Sequence, residues 1–371
     1  MKKISGIIFS NIYDGALGDL TARRTVASLP FGGRYRQIDF VLSSMVNSNI
    51  ESVGVITKYN YESLMDHLGS CEEWDLNHKN GGLCFIPPFA FGRSDVYHGK
   101  LEALYTALHF LKSQKGEYVV LSDTISICNI DYRDVLASHI ASGRDVTAIA
   151  SEPRSGALDY PVVFKTNDDG SAKSIAINCP ADENSLVGFG MFVIGREFLI
   201  KVVEECATSG FYHLERDFLQ KYFNEGKISV NVYKFDGVIL RNNTIANYFK
   251  NNLLLTDEEI RDGIFKSDRP IYTKVRDEIP SYYGENSVVD DCIVADGCII
   301  AGELRHSVIF RNVKVEENSK IIDSVVMQGT KIGKNVHIEN AIIDKDVVIN
   351  DGAKLIGTAQ SPIIIKKGEI I

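Results

Sequence analysis

The residues of this chain with clear chemical capability are basic side chains at its two ends. Arg23, Arg24 and Arg36 lie close together in the sequence and carry forked guanidinium donors that suit phosphate groups. His306 and His337 lie in a repetitive C-terminal region, where each is a candidate general base. What these side chains can do depends on the elements that position them.

Residues 1–255 alternate β-rich runs with segments of helical periodicity. Helices are predicted at residues 36–49 and 100–111, and strands at residues 4–10, 52–57, 118–122, 145–151, 190–194 and 228–235. This alternation predicts a Rossmann-like α/β fold with a mostly parallel, doubly wound sheet. Ligands of such sheets bind beyond the carboxyl ends of the strands.

The character of the chain changes near residue 285, where glycines and Asn/Asp turns recur among valines and isoleucines. Apolar residues recur six positions apart in the sets Val288, Val294 and Ile300; Ile293 and Ile299; Ile332 and Ile338; and Val336, Ile342 and Val348. A hexapeptide period is typical of a β-solenoid, in which stacked coils share a core. We therefore predict an α/β domain at 1–255, a charged connector at 256–284 and a β-helix domain at 285–371.

Composition excludes several classes of function. The 371 residues are 44% hydrophobic and carry a net charge of −9, which argues against nucleic-acid binding. No apolar run approaches the ~20 residues of a membrane span, and the N-terminal run is too short for a signal sequence. The seven cysteines are scattered without a C-x-x-C pair, as expected for reduced thiols. We expect a cytoplasmic protein that binds neither nucleic acid nor membrane.

Residues 29–50, LPFGGRYRQIDFVLSSMVNSNI, are similar almost position by position to a motif of the glucose-1-phosphate adenylyltransferase (ADP-glucose pyrophosphorylase) family. Further family elements follow in order: residues 97–103 resemble Y-x-G-T-A-x-A, residues 188–194 resemble S-M-G-I-Y-V-F, and residues 270–275, 307–315 and 341–349 also match. The resemblance implies a GT-A-like nucleotidyltransferase domain followed by a left-handed parallel β-helix of hexapeptide repeats. It also implies a tetrameric assembly.

Active members of the family join ATP to glucose 1-phosphate, giving ADP-glucose and pyrophosphate, and must cradle a triphosphate. Their glycine-rich loop G-G-x-G-T-R-L corresponds here to residues 11–17, NIYDGAL, where one glycine remains and Ala16 replaces the arginine. The lysine of R-A-K-P corresponds to Val26. These changes remove bare backbone and positive charge where phosphates bind. An ordinary turn that never bound nucleotide is the alternative, and the matching flanks favour a decayed site.

The remaining catalytic positions of the family are also changed. Cys179 replaces the sugar-phosphate lysine of F-[VI]-E-K-P, and this thiol has no evident partner base that would make it a nucleophile. The metal-binding Asp of L-S-G-D-H-I-Y corresponds to Asp123, a candidate residual metal ligand. The Asp of W-R-D-V-G-T corresponds to Arg241, a cation that repels Mg²⁺. The effects of four missing groups on the reaction rate do not simply add within one active site, but together they predict almost no turnover.

The resemblance places Arg23, Arg24 and Arg36 near the activator site of the family, which binds anionic glycolytic metabolites between the domains; solvated surface charge is the alternative. The departures resemble GlgD-type subunits, which partner a catalytic subunit in the glycogen synthesis of Gram-positive bacteria. We predict a regulatory subunit that holds no productively bound cofactor. It would form a heterotetramer with a Mg²⁺-dependent catalytic glucose-1-phosphate adenylyltransferase subunit and respond to a sugar-phosphate effector.

Two other functions stay open. An active sugar nucleotidyltransferase with an altered site would use Asp123 as its metal ligand. A hexapeptide-repeat acyltransferase would use His306 or His337 as its base, although lone histidines on a solenoid are more often surface residues.

Overall fold

The computed structural model describes residues 3–12, 14–78, 81–88, 97–153 and 162–371. The strands of the first part are β1 (Ile4–Phe9), β2 (Pro30–Phe31), β3 (Tyr35–Arg36), β4 (Ser52–Ile56), β5 (Gly82–Ile86), β6 (Tyr118–Asp123), β7 (Ser126–Ile127), β8 (Val146–Ser151), β9 (Val162–Thr166), β10 (Ala172–Ile177), β11 (Leu186–Gly195), β12 (Val230–Lys234) and β13 (Leu240–Arg241). The α-helices are α1 (Gln37–Asn47), α2 (Glu62–Leu68), α3 (Lys100–Thr106), α4 (Leu108–Ser113), α5 (Tyr132–Ser142), α6 (Arg196–Ser209), α7 (Lys221–Asn224), α8 (Ile245–Leu253) and α9 (Glu258–Ile264). Short 3₁₀ turns include Asp14–Thr21, and Leu214–Gln220 is a π-helix.

Nine of these strands form one sheet. Along the sheet the order is β10-β9-β11-β6-β1-β4-β5, and β8 pairs with both β11 and β12. The strands β6, β1, β4 and β5 are parallel, whereas β11 is antiparallel to β6, β8 and β9. The sheet is therefore mixed rather than mostly parallel, because β9 and β10 form a hairpin and β11 runs antiparallel to each of its three neighbours.

The carboxyl ends of three parallel strands meet at one edge of this sheet. Phe9 at the end of β1 pairs in register with Ile56 of β4 and with Asp123 of β6. The loop after β1 and the Asp123 carboxylate therefore share an edge, as the fold class predicts.

The predicted helix at 100–111 is two helices, α3 and α4, that meet at Ala107. The hydroxyl of Thr106 donates to the carbonyl of Ala103 at 2.6 Å, a local bond that competes with a continuous helix. Among the described residues, no helix combines the length and the apolar character needed to cross a bilayer.

The C-terminal part is a left-handed parallel β-helix with three five-stranded faces. Its strands are β14 (Tyr282–Tyr283), β15 (Val288–Asp290), β16 (Ile293–Val294), β17 (Ile299–Ile300), β18 (Glu303–Arg305), β19 (Val308–Ile309), β20 (Lys314–Val315), β21 (Lys320–Ile322), β22 (Val325–Val326), β23 (Lys331–Ile332), β24 (His337–Glu339), β25 (Ala341–Ile343), β26 (Val348–Ile349), β27 (Lys354–Ile356) and β28 (Ile363–Ile365). The stretch 256–284, predicted as a connector, contains α9 and β14.

Each central coil has 17 residues, so the six-residue period is interrupted once per coil. Ile321 pairs with Ile338 and Lys331 pairs with Val348, in each case 17 positions along the chain. The inward core residues of these coils follow spacings of six, six and five: Ile309, Val315, Ile321, Val326, Ile332, Ile338, Ile343 and Ile349.

The interruption explains which of the apolar positions predicted from the period point inward. Ile332 and Ile338 are in the solenoid core. In contrast, Val288 and Ile299 are exposed, and Ile342 packs against the α/β domain. Residues chosen at strict intervals of six do not all point inward, because the real coil is one residue shorter than three hexapeptides.

Corners of the β-helix recur in the same 17-residue register. His306, Asp323 and Asn340 form one column of residues with φ between 41° and 49°, in the left-handed region that Asn and Asp tolerate. The Asn/Asp turns that mark this region of the sequence are therefore the corner residues.

An apolar core joins the β-helix to the α/β domain. Val308, Val325, Met327 and Ile342 from one face of the β-helix pack with residues such as Val26. All five side chains are at most 1% exposed. This packing fixes the β-helix against the segment that follows the loop after β1.

Candidate functional site

A cleft of about 340 Å³ lies beyond the carboxyl ends of β1 and β6. Its walls come from the loop after β1, the start of α3, the end of β10 and the start of the π-helix Leu214–Gln220. Side chains of both signs line it, including Lys58, Lys100, Glu215 and Arg216.

The loop after β1 is closed by hydrogen bonds between its own residues. The Asn11 side-chain oxygen accepts from the Ser10 hydroxyl at 2.8 Å and from the Lys58 amide at 2.9 Å. The Asn11 amide group donates to Asp14 Oδ2 at 2.5 Å, and Asp14 Oδ1 accepts from the Val26 amide at 2.8 Å. These groups are therefore engaged with one another rather than turned towards a ligand.

Asp14 places a carboxyl group at a position predicted to correspond to a glycine of the family's phosphate loop. It is 5% exposed, and burial raises its pKa to about 6 although the bonds from Asn11 and Val26 oppose the shift. Ala16 follows on the 3₁₀ turn with an exposed methyl group. Tyr13 lies outside the described residues. The loop thus offers an acid and an apolar side chain instead of a phosphate cradle.

Val26 is 1% exposed and belongs to the core between the two domains. The position predicted to correspond to the family lysine therefore points into apolar packing, and its backbone amide donates to Asp14.

An ion triad lies at the cleft, where Lys100 and Glu215 are part of the lining and Asp123 is a fully buried partner of Lys100. The Lys100 ammonium lies 2.9 Å from Asp123 Oδ2 and also pairs with Glu215. The Lys100 and Asp123 side chains are 3% and 0% exposed. Burial raises the pKa of Asp123 to about 6, against the lowering effect of Lys100, and Glu215 adds to the rise.

Arg241 and Cys179 lie on two sides of this region. Arg241 pairs in register with Ser126, donates to the Gly188 carbonyl at 3.3 Å, and lowers the pKa of Asp123 through its charge. Cys179 is an exposed thiol that donates to the Ile177 carbonyl at 3.4 Å, next to a cleft-lining strand end. The positions predicted to correspond to a metal-binding carboxylate and a sugar-phosphate ammonium thus carry a guanidinium and a thiol.

A second candidate site lies between the α/β domain and the β-helix. We define the interdomain cation cluster as Arg24, Arg34, Arg36, Lys274, Arg276, Arg311 and Lys345. Among the described residues, three of the seven have ion pairs within 4 Å, and the partners are Asp344 for Arg24, Asp66 for Lys274 and Asp296 for Arg311. The cluster therefore keeps an excess of positive charge.

Lys345 is the most perturbed member of the cluster. It is 6% exposed, and burial together with the charges of Arg36 and Arg24 lowers its pKa to about 6. Its backbone amide donates to Asp344 Oδ1 at 2.7 Å. An anion bound beside Lys345 would relieve this unfavourable concentration of charge.

The three arginines predicted as effector contacts have different environments. Arg24 is 4% exposed, and its Nη2 donates to both carboxylate oxygens of Asp344 at 2.7 Å. Arg36 is 7% exposed and its guanidinium donates to the hydroxyl of Ser63 at 3.0 Å. Arg23 is exposed, and of the three arginines Arg36 alone lines the small pocket within the cluster. The structure brings Arg24 and Arg36 into one charged region and leaves Arg23 outside it.

The pocket at the centre of the cluster measures about 20 Å³. That space holds about one water molecule. A sugar phosphate would have to bind at the rim or move the two domains apart.

Comparison with known proteins decides the family. Residues 16–237 match the family model "Nucleotidyl transferase" and residues 279–361 match "GlmU-like, C-terminal hexapeptide". The chain is 32% identical over 368 residues to the glycogen biosynthesis protein GlgD of Bacillus subtilis (strain 168), covering 99% of this chain and 96% of that protein. It is 33% identical over 339 residues to the glucose-1-phosphate adenylyltransferases of Bacillus mycoides (strain KBAB4) and Bacillus anthracis, covering 91% of this chain and 90% of each relative. The chain belongs to the glucose-1-phosphate adenylyltransferase family. The family and fold predicted from the sequence are confirmed.

The resemblance implies Mg²⁺ for catalysis in the glucose-1-phosphate adenylyltransferase family, and the residues of the cleft do not fit this ion. Mg²⁺ requires an octahedral set of oxygen ligands. Here Asp123 and Glu215 are already paired with an ammonium group, and the Arg241 charge acts on Asp123 as well. Within the described ranges, no group of three or more His, Cys, Asp or Glu side chains could hold a metal ion.

Two important residues were missed in the sequence. Lys100 stands at the Thr position of the family element Y-x-G-T-A-x-A, so a comparison of every position in that motif would have found it. Lys345 lies inside the matching segment 341–349, where an Asp-Lys pair interrupts an otherwise apolar stretch.

The histidines predicted as alternative bases lie on the β-helix. His306 Nδ1 is 2.5 Å from Asp323 Oδ1, and His337 Nε2 is 3.5 Å from Glu339 Oε2. Each belongs to a corner or a face of a separate coil, and neither lines the cleft.

Proposed function

We propose that this chain is a regulatory subunit without catalytic activity of its own. It would assemble in the bacterial cytoplasm with a catalytic glucose-1-phosphate adenylyltransferase subunit and modulate the synthesis of ADP-glucose for glycogen. The observation that carries this proposal is the closed loop after β1, in which Asp14 bonds to Asn11 and to the Val26 amide. A triphosphate would meet a carboxyl group at the place where the reaction needs hydrogen-bond donors for the phosphate oxygens.

The size of the expected loss in reaction rate supports a subunit without catalytic activity. Removing one preorganised charge-stabilising group costs roughly 10²–10³ in rate. At Ala16, Val26, Cys179 and Arg241 this chain lacks the expected group. The losses are not additive, but the phosphate cradle and the metal site are affected together.

The interdomain cation cluster supports binding of a sugar-phosphate effector. Arg36 is a buried cation, Lys345 is a buried amine whose protonation a bound anion would favour, and Arg276 is exposed at the rim of the pocket. Because the pocket now holds about one water, an effector would favour a more open arrangement of the domains over this one. Regulation requires such a difference in affinity between two states.

The first coil of the β-helix offers a surface for assembly. Tyr282, Tyr283, Val288 and Ile299 expose between 40% and 64% of their area. The strands β14, β15 and β16 also form the edge of each face, with a neighbour on one side only. Apolar edges of this kind are usually covered in a functional assembly. We propose that the catalytic subunit covers this edge in a heterotetramer.

The decisive experiment combines the purified chain with the catalytic subunit of the same organism. Native mass measurement is expected to show a mixed complex, and ADP-glucose formation by that complex is expected to differ from that of the catalytic subunit in its rate or effector response. The chain alone is expected to release no pyrophosphate from ATP, glucose 1-phosphate and Mg²⁺. Unchanged kinetics of the partner would refute the regulatory proposal. Turnover by the isolated chain would favour the active, altered enzyme instead.

The effector site has its own test in the mixed complex, with inorganic phosphate and a set of sugar phosphates as probes. Lys345→Gln and Arg276→Ala each remove a basic group that would pair with a bound anion, and each is expected to raise the activating concentration about tenfold. Lys331→Gln is the matched control, because Lys331 is exposed on β23. Equal effects of all three variants would indicate a general charge effect and no specific site.

A further inference from the structure

Lys100, Asp123 and Glu215 come from three separate parts of the chain and meet at one point in the cleft. Lys100 is the first residue of α3, Asp123 is the last residue of β6, and Glu215 lies at the start of the π-helix Leu214–Gln220. The Lys100 ammonium is within hydrogen-bond distance of both carboxylates. One cation thus holds together two acids from distant elements.

The surroundings are built to keep the ammonium in this place. The Lys100 nitrogen lies 5.6 Å from the centre of the Phe9 ring, a distance at which an aromatic face attracts a cation. Gly190 has φ +71°, and a Cβ at this position would lie 2.0 Å from Asp123 Oδ2 and 3.3 Å from the ammonium. The backbone of β11 therefore approaches the ion pair as closely as a glycine allows.

Asp123 still has coordinating capacity. Among the described residues its Oδ1 atom is buried without a hydrogen-bond partner, while Oδ2 binds Lys100. A carboxylate with one open oxygen next to a second carboxylate is the chemistry that a divalent cation prefers.

We propose that the Lys100 ammonium is a covalently attached substitute for a divalent cation, and that it masks a latent metal site formed by Asp123 and Glu215. In the native chain the ammonium pairs with both acids and occupies the position of a cation between them, so a divalent ion cannot bind there without displacing it. This inference concerns the cleft alone and is independent of the regulatory role proposed above.

The test removes the charge and offers a metal in its place. Lys100→Met keeps an unbranched side chain one heavy atom shorter than lysine and leaves two acids without their cation. This change is expected to lower the melting temperature of the full chain by roughly 5 °C in EDTA. Adding Mn²⁺ is expected to restore most of this loss. Electron paramagnetic resonance should then detect one bound Mn²⁺ per chain, held at least tenfold more tightly than by the native chain.

Two controls separate this effect from general destabilisation. Lys112→Met removes another lysine that pairs with a carboxylate, but the Lys112–Glu204 pair is exposed, so no Mn²⁺ response is expected. Lys100→Met combined with Glu215→Gln removes one of the two ligands and is expected to lose the Mn²⁺ response.

Two outcomes would overturn the proposal. One is equal Mn²⁺ affinity of the native chain and the Lys100→Met variant. The other is a Lys100→Met variant whose melting temperature is the same in Mn²⁺ as in EDTA, or that stays unfolded in both. Lys100→Thr leaves more room for the ion and is a second variant to which the same criterion applies.

Discussion

The buried pair between Arg24 and Asp344 should be the strongest single link between the two domains. Both oxygens of Asp344 lie 2.7 Å from Arg24 Nη2, and the two side chains are 5% and 3% exposed. Asp344→Asn leaves the guanidinium buried beside Lys345 and Arg36 with no opposing charge. Breaking a buried pair on one side costs about 3–5 kcal/mol, so we expect a loss of this size in the free energy of unfolding.

The assay is urea unfolding monitored by the fluorescence of Trp74, the only tryptophan and a buried residue of the α/β domain. Circular dichroism follows both domains in the same samples. The double variant Arg24→Met with Asp344→Asn removes both charges and is expected to recover most of the loss, because no buried ion remains unpaired.

The exposed pair Lys112–Glu204 supplies the comparison, since Lys112→Met should cost only about 0.2–1 kcal/mol. A loss below about 1 kcal/mol for Asp344→Asn would refute the reasoning. It would mean that the interdomain apolar core, and not this ion pair, holds the domains in register.

Three further predictions concern single positions. Burial and neighbouring arginines lower the pKa of Lys345 to about 6 from 10.5, so between these pH values the unfolded chain binds a proton that the folded chain does not, and the free energy of unfolding rises with pH. Lys345→Met should therefore raise the melting temperature more at pH 6 than at pH 9. Equal gains at the two pH values would contradict the assignment. Asp14→Ala should cost about 1–3 kcal/mol in urea unfolding, because two buried donors lose their acceptor, and Asp14→Asn should cost less because it keeps one of them. Gly190→Ala should lower the melting temperature several-fold more than Gly143→Ala. Gly143 has a similar positive φ, but a methyl group added there meets nothing within 4 Å. Equal losses of melting temperature would show that the contact of the new methyl group with Asp123 is relieved without cost.

The fold could be predicted because its signals are local. The strand β1 and the helix α1 follow from apolar runs and a helix start, where Asp39 accepts from the Arg36 amide at 2.9 Å. The β-helix can be predicted from the repeated spacing of apolar residues. Which of these residues point inward cannot, because each coil is one residue shorter than three hexapeptides and a strict period of six soon selects residues on other faces. The column of corners at His306, Asp323 and Asn340 carries the true period of 17 and is readable from the sequence.

The contacts of the two sites could not be predicted because they join distant parts of the chain. Arg24 and Asp344 are 320 positions apart, and Lys100 and Glu215 are 115 positions apart. Sequence reasoning identified Arg24 and Asp123 as important residues, but it could not show that each is neutralised by a side chain with no local relation to it.

The closed loop after β1 and the link between the domains depend on the same short segment. Asp14 binds the Val26 amide, and the Val26 side chain packs in the core shared with Val325 and Ile342 of the β-helix. Arg24, two residues earlier, binds Asp344 on that same domain. The segment predicted to correspond to the triphosphate-binding residues of active family members therefore anchors the β-helix here. A change that reopened the loop for nucleotide would also loosen the domain contact, so catalysis and the present interdomain structure compete for one stretch of chain.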